Sequence, residues 1–395
     1  MTNNNRIQSI DIMRGLTLFL MLFVNDLYTP GVPRWLVHTA AQEDGMGLAD
    51  WVFPGFLFMV GLSIPFAFIA REKKGASNKQ LFSHIIIRSF SLILIGIFMV
   101  NLENYNADLT GIPKFLWAIL VYISIFLIWN KYPKGSKLTF IFKGLKYIGI
   151  LGLLVLAVLY RSGTAESVGW MSTSWWGILG LIGWGYLVAA ITYLGLKERI
   201  AAIVFVWIGF ILLNILAQTA SLDFVYPIKP IFEVILDGNV PSLVLSGLLV
   251  GILLKKFKTK HKQFLVYIIL IGLSCFAMAF VLHHWFVISK ILGTPSWAML
   301  CNGFSILLFA VLFYVLDIKK WQKWAMPFLP AGQNSLTTYL APDIVYFLIW
   351  GLNLNLLFYK QNEMIWLAVS GSILWAFTMI GFSTLLSRIH IRLKL

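Results

Sequence analysis

Apolar residues run along this chain in long, nearly unbroken stretches rather than in alternation or in a narrow helical stripe. Segments such as Ser91 to Val100 and Ile200 to Leu213 are apolar on every side, whereas a half-buried strand or an amphipathic helix would interleave polar positions at its own period. The hydrocarbon core of a bilayer, about 30 Å thick, takes roughly 17–25 helical residues. Windows of that size predict twelve spans, at residues 12–28, 51–70, 85–101, 113–130, 146–161, 175–195, 200–217, 239–254, 264–288, 297–316, 335–353 and 363–387. A transmembrane β-barrel needs alternating positions that these segments lack, so each span is expected to be a helix that satisfies its own backbone hydrogen bonds. The expected fold class is all-α, a polytopic integral membrane protein with about 10–12 transmembrane helices in one bundle. No fixed-period repeat, low-complexity tract or linker interrupts the pattern, so residues 1–395 read as a single transmembrane domain.

Composition closes the soluble alternative. The 395 residues are 59% hydrophobic and 12% charged, with a mean hydropathy of +0.83, about half the charged fraction of a water-soluble fold. Charge then sets the orientation. Of the 31 lysines and arginines, 25 fall on the side that holds the N-terminus, the loops at 71–88, 131–146, 197–199, 255–262 and 319–323, and the tail at 388–394. The positive-inside rule makes that side cytoplasmic, with both termini there and the loop carrying His38 external. The first apolar segment lacks a small-residue cleavage site before Tyr28 and is expected to be kept as a span. The basic loops read as topology signals and contacts for membrane lipids, not as a nucleic-acid surface. Cys275 and Cys301 lie in apolar stretches with no CxxC spacing and read as packing residues. With no HExxH and no paired Cys and His, no metal is expected. A homodimer is compatible with the abundant small residues but is not specified by them.

Polar and ionisable groups at membrane depth are costly, which makes them the first functional candidates. They concentrate in the first two spans and the loop between. Ser9, Asp11, Arg14 and Gly15 form an S-x-D-x-x-R-G pattern that puts Asp11 and Arg14 on one helical face at the cytoplasmic edge. That pair is either an anchor for the helix or a guanidinium, fixed by its carboxylate, that meets a phosphate arriving from the cytosol. Asn25 and Asp26 lie near the outer end of the same span, His38 follows in a short loop with Trp35, and Asp50 opens the second span ahead of Pro54. Asp50 taken alone is adequately explained as an N-cap. Together, an imidazole to take a proton, a carboxylate to orient it and an amide to bind an oxygen make a minimal acyl-transfer set. His283 and His284 beside Trp285 fit an interfacial aromatic belt, and His84, His261 and His390 read as loop positions among basic residues.

The string Ser9-Ile10-Asp11-Ile12-Met13-Arg14-Gly15, then Phe23-Val24-Asn25, His38, and Gly47-Leu48-Ala49-Asp50-Trp51-Val52-Phe53-Pro54 through Ile64 resembles the heparan-α-glucosaminide N-acetyltransferase family of membrane acyltransferases and its bacterial relatives. The most family-like part is residues 6–70, with looser likeness at 175–186, 290–303 and 332–343. The resemblance implies transfer of an acetyl group from cytosolic acetyl-CoA to the amino group of a terminal glucosamine, or a related glycan acceptor, on the opposite side of the membrane. It implies His38 as the catalytic histidine acting as general base, Asn25 as its partner at the acyl carbonyl and Asp50 as support. Asp11, Arg14, Lys290, Ser296, Asn334 and Ser335 are its candidates for holding acetyl-CoA. The chain departs from the family in two extra residues between His38 and Asp50, where Glu43 and Asp44 add negative charge. It departs again in Lys114-Phe115-Leu116-Trp117-Ala118 in place of G-V-L-Q-R, and in Pro342 and Asp343 where the heparan enzymes carry a histidine followed by an acid. The rival expectation is a secondary transporter of a sugar or small polar solute, which buried Asn25, Asn302 and Asp343 and helix-breaking Gly61, Pro65 and Pro342 would suit.

Overall fold

A computed structural model describes residues 7–354 and 364–395, apart from positions 134, 136 and 220. The helices are α1 (Gln8–Asp26), α2 (Leu48–Glu72), α3 (Asn78–Val100), the single turn α4 (Ala107–Thr110), α5 (Lys114–Trp129), α6 (Thr139–Leu159), α7 (Gly177–Leu196), α8 (Ile200–Gln218), α9 (Lys229–Leu236), α10 (Asn239–Lys256), α11 (His261–His283), α12 (Pro295–Phe313), the short α13 (Leu329–Gln333), α14 (Ser335–Gly351) and α15 (Ile365–Arg388). Each predicted span overlaps one helix. The strands are a two-residue antiparallel pair, Ser162–Gly163 with Val168–Gly169. Among the described residues, nine helices are long and apolar enough to cross a membrane: α2, α3, α6, α7, α8, α10, α11, α12 with its π-helical extension to Ile318, and α15. The molecule is a multi-pass, all-α membrane protein, and α1, α5 and α14 complete the bundle between those nine.

Side chains and loop backbones tie the helix ends into two sets. At one end Lys197 pairs with Glu72 at 2.9 Å, Lys255 pairs with Glu198, and Asp317 accepts the N–H groups of Gln8 and Ser9 at 2.9 and 3.0 Å. There too the C-terminal strand of chain adds to the end of α5, with Lys131 N–H donating to Arg392 at 2.8 Å. At the other end Asn101 bridges the end of α3 to Ser172, Asn214 at the end of α8 reaches Gly293, and Gly45 N–H donates to Ile288 at 3.0 Å. The basic loops lie at the first end and the loop carrying His38 lies at the second.

Close helix contact rests on small residues, because lipid tails offer helices no hydrophobic drive to associate and van der Waals fit must supply it. Where α2 crosses α10, a Cβ on Gly61 would lie 1.8 Å from the Val244 carbonyl oxygen, and one on Gly247 would lie 1.9 Å from that of Phe58. Any side chain at either position forces the pair apart. Facing outward, Phe90, Phe140 and Phe205 are 64%, 87% and 79% exposed, an apolar surface that suits lipid and not water. Two buried polar pairs lie inside: Ser246 donates to Asn302 at 2.5 Å, and Tyr122 donates to Asp343 at 2.5 Å. Cys275 and Cys301 are free and buried.

Candidate functional site

The hairpin between α1 and α2 is built around one carboxylate. Gly47, not Asp50, is the N-cap of α2. Asp50 stands three residues on and reaches back to the cap, its Oδ2 accepting the Gly47 N–H at 2.9 Å. This corrects the N-cap expectation, and the cause is steric. A Cβ at position 47 would lie 1.9 Å from the Val37 carbonyl oxygen, so only glycine lets the returning loop touch the helix start. The same Oδ2 accepts the Thr39 N–H at 3.1 Å and lies 3.0 Å from the Thr39 hydroxyl, while Oδ1 lies 2.6 Å from His38 Nδ1. Asp50 is fully buried and His38 is half exposed. An ionised carboxylate can only accept, so Nδ1 is the protonated ring nitrogen and Nε2 carries the lone pair.

A second loop closes over the ring. Lys290 Nζ lies 3.3 Å from both nitrogens of His38, and burial holds its ammonium below the ordinary lysine range against the opposing pull of Asp50. Its loop is pinned to the hairpin by Ser289 Oγ donating to Ala41 at 2.9 Å and by Asp44, which accepts Ile288 N–H at 2.9 Å and His283 Nε2 at 2.7 Å. The Ile288 amide first, and His283 second, hold the Asp44 carboxyl below the usual carboxylate range. His283 is thus bonded to the hairpin rather than serving as a belt residue, and Glu43 pairs with Arg34 at 3.6 Å, so the two added acids are each engaged. Ser296 is fully buried and donates to Val287 at 2.8 Å, which closes the base of the Lys290 loop. Asn25 is exposed, not buried, and among the described residues no hydrogen bond joins it to His38 or Asp50. Its neighbour Asp26 is the buried one, accepting from Tyr346 at 2.9 Å.

At the opposite end the two family-like strings meet each other. Gly15 of α1 and Gly332 of α13 cross so closely that a Cβ on either would lie 1.9 Å from the carbonyl oxygen of Phe328 or Asp11 respectively. Arg14 lies beside this crossing, donating to Gly332 at 3.1 Å and to Ser63 at 2.5 Å, with Asp11 at 3.5 Å. Asn334 donates to Ser387 at 2.5 Å and accepts from Thr337, and Ser335 donates to Gly332 at 3.1 Å.

Cavities lie on either side of the crossing. One, about 470 Å³, holds Asn334, Ser335 and Tyr339 in its wall, with Arg71, Arg88, Lys131, Arg392 and Lys394 at the basic end. It runs inward past Leu18 and Val60 to Met21, Phe56 and Leu179, and Leu179 belongs to the first turn of α7, near the outer end. Asn25 stands one helical turn beyond Met21 on the same face of α1. Lys394 is held below the ordinary lysine range, first by burial and then by Lys131, Arg71, Lys74 and Arg392. Asp11 and Arg14 line the other cavity, about 840 Å³. The cationic set of the first cavity was missed as a site from sequence. Its members read as topology signals, and nothing local joins Arg71 to Lys394. Among the described residues no group of three or more His, Cys, Asp or Glu could hold a metal.

Residues 6–168 match a family model described as a domain of unknown function, DUF5009. Two curated relatives carry the name heparan-alpha-glucosaminide N-acetyltransferase. The Mus musculus protein is 28% identical over 365 residues, 86% of this chain and 54% of its own length. The Homo sapiens protein is 42% identical over 100 residues, 25% of this chain and 14% of its own. The chain thus spans about half the length of the mouse relative it matches.

Proposed function

From a chain that is similar to heparan-alpha-glucosaminide N-acetyltransferase along 86% of its length, we propose a membrane acetyltransferase that draws acetyl-CoA from the basic, cytoplasmic end of the bundle. It acylates an amino sugar or related glycan on the external side. The observation that carries this reading is the pairing of a single oriented imidazole at one end with a cavity at the other that gathers cations at its mouth and runs inward to Met21, Phe56 and Leu179. Coenzyme A is a polyanionic nucleotide on a long, thin arm, and such a ligand fits a site that gathers Arg71, Arg88, Lys131, Arg392 and Lys394 at its mouth and narrows between apolar side chains. Asn334 and Ser335 contribute polar contacts to the arm. Asp11 and Arg14, bonded across the α1–α13 crossing, hold the wall in shape.

In the reaction, the acceptor amine attacks the thioester carbonyl carbon while His38 Nε2 takes the amine proton. Asp50 keeps the opposite nitrogen protonated and steadies the imidazolium that forms. The exposed Asn25 amide and the Lys290 ammonium face the charge that develops on the carbonyl oxygen. As the tetrahedral intermediate collapses, the C–S bond breaks and His38 returns its proton to the leaving thiolate. Ser296 acts by holding the Lys290 loop. The test is purified protein in proteoliposomes supplied with acetyl-CoA on one face and glucosamine-terminated oligosaccharide on the other. Acetylated sugar on the far face, abolished in His38→Ala protein, is expected. Equal product from His38→Ala protein would overturn the proposal.

A further inference from the structure

The 840 Å³ cavity shares no lining residue with the one assigned to the donor, although both open at the basic end. Its inner wall is apolar, from Ile10, Phe66, Leu254 and Phe313 of α1, α2, α10 and α12. Its rim carries Lys73, Lys255, Lys258 and Lys320, with Arg14 deeper inside. Two acids also line it, Asp11, paired with Arg14, and Asp317, whose carboxylate is turned to the N–H groups of Gln8 and Ser9, so the four lysines of the rim outnumber them. Lys255 is paired with Glu198, whereas Lys73, Lys258 and Lys320 have no ion pair among the described residues. Three ammonium groups around an apolar-walled hollow, at the depth where the bundle leaves the hydrocarbon, match a phosphodiester joined to acyl chains better than any soluble anion. The soluble anion would leave the Phe66 and Phe313 wall without a partner.

We propose that this cavity is a binding site for the head group and upper acyl chains of one anionic phospholipid, separate from the donor channel. The site holds α1, α2, α10, α11 and α12 together at their basic ends, where the α1–α13 crossing forms the boundary to the donor channel. It does not depend on which reaction the protein catalyses.

The test is lipid retention by the full chain, purified in neutral detergent and followed by native mass spectrometry. Phosphatidylglycerol and phosphatidylcholine of identical chains are titrated separately, with inorganic phosphate and coenzyme A as competitors. One phosphatidylglycerol is expected to be retained at least tenfold more strongly than phosphatidylcholine. Lys73→Gln/Lys258→Gln/Lys320→Gln protein is expected to lose that preference and keep its thermal stabilisation by coenzyme A. The charge-matched control Lys143→Gln/Lys146→Gln/Lys262→Gln, outside the cavity, is expected to keep both. Retention of phosphatidylglycerol by the cavity variant, equal loss in the control, or displacement by inorganic phosphate alone would each overturn the lipid assignment. Displacement by coenzyme A, with loss of its stabilisation in the cavity variant, would instead assign this hollow to the donor and overturn the separation of the two sites.

Discussion

At the outer end, His38, Thr39, Gly47 and Asp50 sit in one hairpin and are joined by short hydrogen bonds with little freedom to relax. At the inner end, Arg71, Arg88, Lys131, Arg392 and Lys394 come from α2, α3, the end of α5 and the C-terminal tail, and meet as a loose group of cations around an opening. The first arrangement orients one lone pair. The second raises a positive potential to which each side chain adds a part. A directional group acts on the transition state, whereas a diffuse field acts on binding, so damage at the two ends should divide between kcat and KM for the donor.

His38→Ala is the largest test of that division. Loss of a positioned general base typically costs about 10²–10⁴-fold in kcat, and KM for acetyl-CoA is expected to stay within about twofold, measured by steady-state kinetics with a glucosamine-terminated acceptor. An increase in KM with kcat preserved would break the comparison. Asp50→Asn is the next in size. The amide oxygen can still accept from Gly47 and Thr39, so the hairpin keeps its shape, but the amide nitrogen then faces His38 Nδ1 and favours the tautomer protonated on Nε2. The expected loss approaches that of His38→Ala, about 10²–10⁴-fold in kcat, with an unchanged melting temperature. At the inner end, Arg71→Gln/Lys394→Gln removes two of five mouth cations. KM for acetyl-CoA is expected to rise about tenfold, by analogy with the loss of charge-assisted contacts, with kcat nearly unchanged. Added salt is expected to narrow the gap between wild type and variant, since it screens the same field.

The two ends were also unequally legible in the sequence. Twelve spans follow from hydropathy alone because the demand that backbone groups be satisfied in lipid acts on every residue of a segment, and each predicted window overlaps a helix. His38 and Asp50 were visible as a pair because a hairpin keeps neighbours in sequence neighbours in space. Their geometry was legible only in part: the N-cap went to Gly47, since nothing in the sequence announces that the Val37 carbonyl returns to within contact of the helix start. The G-Q-N-S string showed as a likeness, but its partner in space is Gly15, more than three hundred residues earlier. The cationic mouth was illegible for the same reason in a stronger form. Arg71 and Lys394 are separated by nearly the whole chain, and lysines placed by the positive-inside rule look identical to lysines placed for a phosphate.

Lys290 sharpens the comparison from the other direction, because it is a cation at the directional end. Burial lowers its ammonium below the ordinary lysine range, so as pH rises its charge is lost, and any activity limb it governs falls, sooner than for an exposed lysine. If the charge beside His38 aids the developing oxyanion, kcat falls along that limb by about tenfold or more, on the order of one lost hydrogen bond to charge. Lys290→Arg, which stays charged at all accessible pH, is expected to shift the limb upward or remove it. A limb unmoved by that substitution would leave Lys290 a structural residue.

The smallest expected effect concerns Asp44, which belongs to the hairpin but touches only the Lys290 loop. Asp44→Asn keeps an acceptor for the Ile288 N–H and loses the ionic part of the His283 contact. Both groups are partly exposed, and surface pairs of this kind contribute little, so kcat is expected to fall less than about twofold. The sign of the pH dependence is fixed. The folded carboxyl is held below its unfolded value, so its contribution is present above the ordinary carboxylate range and disappears as pH falls through the folded value. A thermal-melting series should therefore show the variant slightly less stable than wild type at pH 7, with the difference vanishing as pH falls through the folded value. A variant that melts alike at both pH values but loses activity by an order of magnitude would mean that Asp44 acts on the reaction itself, and the directional end would then extend past the His38–Asp50 pair into the loop that holds it.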